Sequence, residues 1–305
     1  MGGNQPSAAG WIDVSLALLA RTRSGDGGWP YHAGGDSAAE PTATVVAALW
    51  ALQQNDDGRR SGLSFLESLH GEKGGLTAQP GPSAPVALAA LGAIALARCG
   101  GSRAVAGRIA DTLFGWPVRR IENEDRSVYG FDPSLGGLPW TPDTFSWVEP
   151  TAYGVILCES LGRGGHPRVA EARRLLVDRA HVGGGWNYGN PVVFETALEP
   201  DPLPTAWALL ALRDDPSRSA VRQGAGYLRS VMPRLGSPLT RAWARVALGA
   251  IGDRTAASAV GSDAESFGDL LRRGRLAPTS PWHHAAALLS VAPLERNAFV
   301  FGRTG

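Results

Sequence analysis

The stretch from Ser146 to Leu157, SWVEPTAYGVIL, sets the pattern that organises this chain. Pro150 suits the first turn of a helix, where a missing N–H costs nothing, and an almost continuous apolar run follows it. The same design recurs at Glu40-Pro41-Thr42-Ala43 and at Leu203-Pro204-Thr205-Ala206, and looser copies begin at Pro85, Pro238 and Pro281. Because the same kind of helix start recurs along the whole chain, the sequence indicates a repeat architecture.

Two kinds of helix alternate in this pattern. The helices predicted after the prolines, for example at residues 45–49 and 86–91, are apolar nearly all round, which is typical of helices buried on every side. The helices predicted before them carry an apolar stripe and a charged face, at residues 11–21, 62–69, 103–114, 167–181, 219–231 and 257–272. We therefore expect an all-α fold, an (α/α)6 toroid of six helical hairpins with an inner and an outer ring, formed by residues 1–305 as a single domain.

Three long connections, at residues 25–40, 115–149 and 183–203, lead from an outer to an inner helix. All three open at the end where the inner helices begin, and long loops in a compact domain are often functional. We therefore predict that this end, called the mouth below, carries the functional site.

Composition excludes several classes of function. A net charge of +1 provides no basic field, so we expect no nucleic-acid partner. The two cysteines lack the spacing of a zinc motif. With no signal-peptide pattern and no apolar run of about 18 residues, the sequence predicts a cytoplasmic protein that is not transmembrane. It does not determine the oligomeric state.

The loops that end the outer helices point to a known superfamily. Gly27-Gly28-Trp29 and Gly184-Gly185-Trp186 are each followed by a Pro-Thr-Ala helix start. Over essentially the whole chain this pattern resembles the squalene/hopene cyclases and the protein prenyltransferase β subunits. The resemblance implies an α/α toroid whose central apolar cavity handles an isoprenoid chain.

The catalytic signatures of that superfamily are incomplete here. The Asp-x-Asp-Asp box of the cyclases reads Asp201-Pro202-Leu203-Pro204, so Leu203 stands where the proton donor would be. Trp282-His283 resembles the histidine end of the prenyltransferase zinc site, but Ser237-Pro238-Leu239-Thr240 offers no cysteine ligand. We predict no metal site for zinc. The sequence establishes no cofactor. Whether Mg²⁺ accompanies a diphosphate substrate stays an open question.

Acidic residues and one histidine are the candidates for catalysis. Glu40 and Glu149 precede prolines at equivalent points of two repeats, where a carboxylate either complements a helix N-terminus or acts as a general acid. His283, in the first turn of the last inner helix, is either a proton acceptor or a structural residue. The predicted catalytic set is Glu149, His283, Asp201 and Glu40.

Cationic and aromatic residues are the candidates for substrate binding. Arg241 and Arg245 lie four residues apart, so they share a helix face at the mouth and would suit a prenyl diphosphate. The alternative is that they pair with local carboxylates or carbonyls. The remaining predicted binding residues are Trp29, Trp147, Trp186, Tyr188, Asn190, Trp207 and Trp282, and for Trp29 and Trp186 the alternative is a packing role.

These observations favour an isoprenoid-handling enzyme of the cyclase or prenyltransferase type, an isomerase or a transferase that binds a polyprenyl substrate. Two alternatives stay open. One is a non-catalytic toroid that binds a hydrophobic ligand or a partner protein. The other is a carbohydrate-active (α/α)6 enzyme, suggested by the tryptophans and carboxylates of the mouth.

Overall fold

The computed structural model describes residues 10–70, 76–81, 85–122, 129–215, 218–253, 267–271 and 279–301. These residues are mostly helical, which confirms the all-α class. The helices are α1 (Gly10–Thr22), α2 (Ala39–Leu52), α3 (Asp56–Ser68), α4 (Ala89–Arg98), α5 (Arg103–Gly115), α6 (Val148–Ser160), α7 (Pro167–Asp178), α8 (Pro202–Ala211), α9 (Ser219–Val231), α10 (Pro238–Ala250) and α11 (Pro281–Val291).

Short strands occur only in the long loops of the described residues. Strands β1 (Val118–Arg119) and β2 (Thr144–Phe145) pair in parallel, and β3 (Val192–Val193) and β4 (Thr196–Ala197) form an antiparallel hairpin. Within the described ranges, no helix is long and apolar enough to cross a membrane.

The helices that follow the prolines contact one another in a closed order. α2 packs on α4, α4 on α6, α6 on α8, α8 on α10, α10 on α11, and α11 packs back on α2. Every residue of α6 except Glu159 is buried. The more exposed helices each pack on one of these buried helices: α1 on α11, α3 on α2, α5 on α4, α7 on α6 and α9 on α8.

One repeated contact explains the Pro-Thr-Ala starts. The hydroxyl of Thr42 accepts a hydrogen bond from the Trp29 N–H at 2.8 Å and donates to the Trp29 carbonyl at 3.3 Å. Thr151 makes the same pair of bonds with Leu138, and Thr205 makes it with Trp186. Each threonine thus fixes the Gly-Gly loop against the start of its buried helix. Gly137 has to be a glycine, since a Cβ there would lie 2.3 Å from the Thr151 hydroxyl.

Two helices begin at other positions than the sequence pattern predicts. α3 begins at Asp56 rather than at residue 62, because the Asn55 side chain accepts a hydrogen bond from the Gly58 N–H at 3.1 Å and caps it. α4 begins at Ala89 rather than at Pro85, because the N–H groups of residues 86 and 87 donate to loop carbonyls instead. The helix predicted at residues 257–272 lies mostly outside the described residues, and residues 267–271 are helical.

An aromatic cluster fills the space between α6, α8 and α10. Trp207 contacts Tyr153 edge-on at 4.8 Å between ring centroids, and it contacts Trp243 at 4.3 Å and Phe299 at 5.8 Å. All four rings are almost completely buried. At this level the rings pack against one another, so the interior is closed there by side chains.

Candidate functional site

Glu149 is a buried carboxylic acid at the mouth. The extended backbone of Trp147 precedes α6, and the Val148 N–H donates to the Tyr188 carbonyl at 2.9 Å, which ties α6 to a mouth loop. The Glu149 side chain bonds to Tyr153 one turn further along, and Glu149 is only 7% exposed. Burial, followed by the charges of Glu40 and Asp201, raises the pKa of Glu149 to about 8. This side chain therefore holds a proton at neutral pH.

Glu40 occupies the equivalent position at the start of α2. Its carboxyl group accepts a hydrogen bond from the Tyr31 hydroxyl at 2.8 Å, and the Tyr31 ring meets Trp282 edge-on at 5.2 Å. Desolvation by the surrounding protein raises the pKa of Glu40 to about 7, although the bond from Tyr31 opposes this shift.

Asp201 completes this set of carboxyl groups. Its side chain caps α8 by accepting a hydrogen bond from the Leu203 N–H at 2.9 Å, and it also bonds to the Tyr188 hydroxyl. The carboxyl groups of Glu40, Glu149 and Asp201, which we call the acid cluster, are each paired with one tyrosine. Burial raises the pKa of Glu149 and of Glu40, so Glu149 holds a proton that it can donate to a bound molecule.

An apolar groove lies next to the acid cluster. Its volume is about 580 Å³, and its lining includes the large apolar and aromatic side chains of Phe145, Trp147, Tyr188, Val193 and Leu198. Trp147 is 40% exposed and Tyr188 is 46% exposed, so both present ring surface to a ligand. Since Tyr188 also bonds to Asp201, the groove and the acid cluster are adjacent parts of one site.

The other predicted aromatic residues occupy different surroundings. Trp29 and Trp186 are completely buried, and their indole N–H groups donate to the carbonyls of Leu19 and Leu176. In this structure both act as packing anchors, so the site described here does not include them. Trp207 belongs to the aromatic cluster. Asn190 is exposed at the edge of the groove, where its carbonyl accepts a bond from the Asn187 amide.

His283 lies beside Trp282 at the start of α11. Burial, with a smaller contribution from His32, lowers the pKa of His283, so the ring is neutral at neutral pH. Its Nδ1 atom is buried and has no hydrogen-bond partner among the described residues. His284, the next residue, points elsewhere and bonds to Ser15 at 2.8 Å.

The predicted arginine pair lies on α10. Arg241 donates to the Leu235 carbonyl at 2.8 Å, and Arg245 is buried; both have further interactions within the protein. Their role in binding a diphosphate stays a prediction. Within the described ranges, no group of three or more histidine, cysteine or acidic side chains is placed to hold a metal ion.

The sequence analysis named Tyr188, which pairs with Asp201, but it missed the other two tyrosines that pair with the acids, Tyr31 and Tyr153. The spacing of Glu149 and Tyr153, four residues apart on one helix, would have predicted their contact. The pairing of Tyr31 with Glu40 depends on the conformation of a long loop and has no such local signal. Trp140, which meets the Tyr153 ring edge-on at 6.1 Å, was missed for the same reason.

Comparisons with known proteins give structural matches only. No protein-family model matches the chain, and no curated protein matches it. Among solved structures, the type II terpene cyclase MstE from Scytonema, without ligand, matches with 15% identity and a TM-score of 0.41. Two variants of MstE in complex with geranylgeranyl dihydroxybenzoate, described as its substrate, match with 14% and 13% identity and TM-scores of 0.39 and 0.35.

Each match covers 87% of this chain and 64% of the MstE chain, so this chain spans less than two thirds of that protein's length. Similarity at this level of identity and superposition carries no argument about function. The functional conclusion therefore depends on the residues of the mouth.

Proposed function

We propose that this protein is an isoprenoid cyclase on an (α/α)6 toroid, in which Glu149 starts the reaction by donating its proton to an alkene. The observation that carries this proposal is the buried, protonated Glu149 at the start of α6, where Trp147 and Tyr188 border an apolar groove. The closed order of contacts from α2 through α11 supports the toroid. The Gly-Gly-Trp and Pro-Thr-Ala repeats, which resemble those of isoprenoid-handling enzymes, support the class of substrate.

The substrate chain lies in the groove rather than in a deep central cavity. The aromatic cluster occupies the interior between α6, α8 and α10, whereas the groove is open at the mouth. Its volume of about 580 Å³ falls within the range of small-molecule sites. Because the acid cluster disfavours a second negative group, the uncharged end of the isoprenoid approaches Glu149.

The proposed chemistry needs no redox partner and no metal. The Glu149 proton forms a C–H bond with one carbon of a terminal alkene, which leaves a tertiary carbocation on the other carbon and a carboxylate on Glu149. An internal alkene attacks the cation and closes a ring. A base removes one proton from the final cation, and the neutral His283 ring is our candidate for this base. The product is an isomer of the substrate. The base releases its proton to solvent, and solvent returns a proton to Glu149.

Aromatic rings around the site would stabilise the cationic intermediates. The faces of tryptophan and tyrosine attract a cation within about 6 Å, with about 2 kcal/mol or more in a desolvated site. Tyr153 bonds to Glu149 and contacts the Trp140 ring, and Trp147 and Tyr188 border the groove. These rings also exclude water, which would otherwise trap the carbocation as an alcohol.

The test is turnover in heavy water. The purified protein is incubated in D₂O with farnesol, geranylgeraniol, squalene and the two corresponding diphosphates, and products are identified by mass spectrometry. We expect a cyclic isomer that carries one solvent deuterium at the protonated carbon. Glu149→Gln keeps the size of the side chain but cannot donate a carboxylic proton, so we expect its rate to fall by about 10²-fold or more. The matched control is Glu195→Gln, on the exposed β3–β4 turn, which should keep full activity.

Other outcomes would contradict the proposal. Binding of an isoprenoid without turnover would support the non-catalytic alternative, and full activity of Glu149→Gln would exclude Glu149 as the acid. The exposed rings of Trp147 and Tyr188 beside carboxyl groups also fit a carbohydrate-active enzyme. Release of reducing sugars from oligosaccharides, lost in Glu149→Gln and without any isoprenoid product, would favour that function instead.

A further inference from the structure

A second cavity lies at the end of the molecule opposite the mouth. Its volume is about 870 Å³, and residues at or just beyond the C-terminal ends of α4, α6, α8 and α10 contribute to its wall. Glu149 lies near the start of α6, and Glu159, near its end, lines this cavity. At a rise of about 1.5 Å per residue the two side chains are separated by about 15 Å along the helix. The aromatic cluster lies between the two ends of α6, so the cavity is distinct from the groove.

Positive charge predominates in the lining. Four arginines and two carboxylates face the cavity: Arg98, Arg103, Arg173, Arg213, Glu159 and Asp214. Both carboxylates form ion pairs with arginines of the lining. Glu159 pairs with Arg173 and Arg213, and Asp214 pairs with Arg173 at 3.0 Å. Arg103 donates to the carbonyls of Ala97 and Ser160, which satisfies two helix ends.

Arg98 differs from the other three arginines. Among the described residues it has neither a carboxylate nor a carbonyl partner, and its buried Nε atom, like that of Arg173, has no acceptor. Its guanidinium lies over the Phe301 ring at 4.6 Å, and Arg213 lies over the same ring at 4.3 Å. Phe301 thus holds two guanidinium groups at the cavity wall. A buried donor without an acceptor is costly, and a bound anion would satisfy it.

We propose that this cavity binds the phosphate or diphosphate group of a small molecule, with Arg98 as its principal contact. The two carboxylates of the lining balance two of its four arginines, so two positive charges remain. This charge matches a doubly charged phosphate. Guanidinium groups bind phosphate oxygens in pairs through parallel N–H donors. Gly164 and Gly165 form part of the wall, and the space near Gly165 is open enough to admit a ligand.

Calorimetric titration with inorganic phosphate, pyrophosphate and geranylgeranyl diphosphate, in a phosphate-free buffer, tests this proposal. We expect one molecule to bind per chain. Arg98→Ala should weaken binding about tenfold or more, as expected for the loss of a charge-assisted hydrogen bond. The matched control is Arg60→Ala on the exposed face of α3, where Arg60 pairs with Asp57 at 2.5 Å, and it should bind as the parent does.

A second variant guards against a folding defect in Arg98→Ala. Gly165→Trp adds bulk at the cavity wall without removing a contact, and it should also weaken binding. Equal binding of pyrophosphate and geranylgeranyl diphosphate would assign recognition to the phosphate groups alone, whereas tighter binding of geranylgeranyl diphosphate would add the lipid chain to the ligand.

The proposal is overturned if no phosphate compound binds, or if Arg98→Ala and Arg60→Ala bind alike. Because Glu149→Gln leaves this cavity intact, it should bind pyrophosphate normally. Failure of the cyclase proposal is therefore distinguishable from failure of this one.

Discussion

Replacing Glu149 by glutamine should remove a large part of the pH dependence of stability. In the folded protein burial raises the pKa of this carboxyl group from 4.5 to about 8. Between these two values the folded state retains a proton that the unfolded state releases, so stability falls as the pH rises. At about 1.36 kcal/mol for each pH unit, the loss between pH 5 and pH 8.5 is about 4 kcal/mol, as an upper limit.

Glutamine keeps the size and a hydrogen bond to Tyr153, but it does not ionise. We therefore expect Glu149→Gln to be close to the parent in stability at pH 5 and clearly more stable at pH 8.5. Guanidinium unfolding followed by tryptophan fluorescence at both pH values measures the difference. Glu195→Gln, on the exposed hairpin turn, should leave the pH profile unchanged. Parallel profiles for the parent and Glu149→Gln would refute the view that this acid is buried and protonated.

Three further predictions concern the architecture. Thr151→Val, which keeps the shape but leaves the buried Leu138 N–H without an acceptor, should lower the free energy of unfolding by about 1–3 kcal/mol in a guanidinium titration. Gly184→Ala should lower the melting temperature clearly, because φ is +94° and the new Cβ would lie 2.5 Å from a carbonyl oxygen. In the control Gly183→Ala the new Cβ meets open space, so the melting temperature should not change. Trp207→Ala should cost about 3–5 kcal/mol in urea unfolding, and a loss below about 1 kcal/mol would contradict the close packing of the aromatic cluster.

The clearest repeats were predictable from the sequence because three of them use the same contact. Thr42, Thr151 and Thr205 bind their Gly-Gly loops with the same pair of hydrogen bonds, and identical contacts leave identical residues in the sequence. The first residue of a helix was less predictable where backbone N–H groups donate to loop carbonyls instead of entering the helix, as at residues 86 and 87. The local pattern of apolar residues predicts that a helix is present. The position of its first turn, however, depends on hydrogen bonds to carbonyl groups that are distant in the sequence.

The candidate site was predictable only in part. Glu40 and Glu149 stand out because they occupy equivalent positions in two repeats, yet their protonation depends on burial and, for Glu149, also on the charge of Glu40. The cationic cavity has no signature in the sequence. Arg98 is the last residue of α4 and Arg213 follows α8, and the two meet at Phe301 near the end of the chain, so only the fold brings them together.

The protonation state of Glu149 is the most direct test of the proposed function. Infrared difference spectra of the parent minus Glu149→Gln, recorded from pH 5 to pH 10, would isolate the carbonyl stretch of this one carboxylic acid. We predict that the band of the protonated acid is present at pH 7 and disappears with a midpoint near pH 8. A band already lost below pH 6 would show that Glu149 is ionised at neutral pH and has no proton to donate.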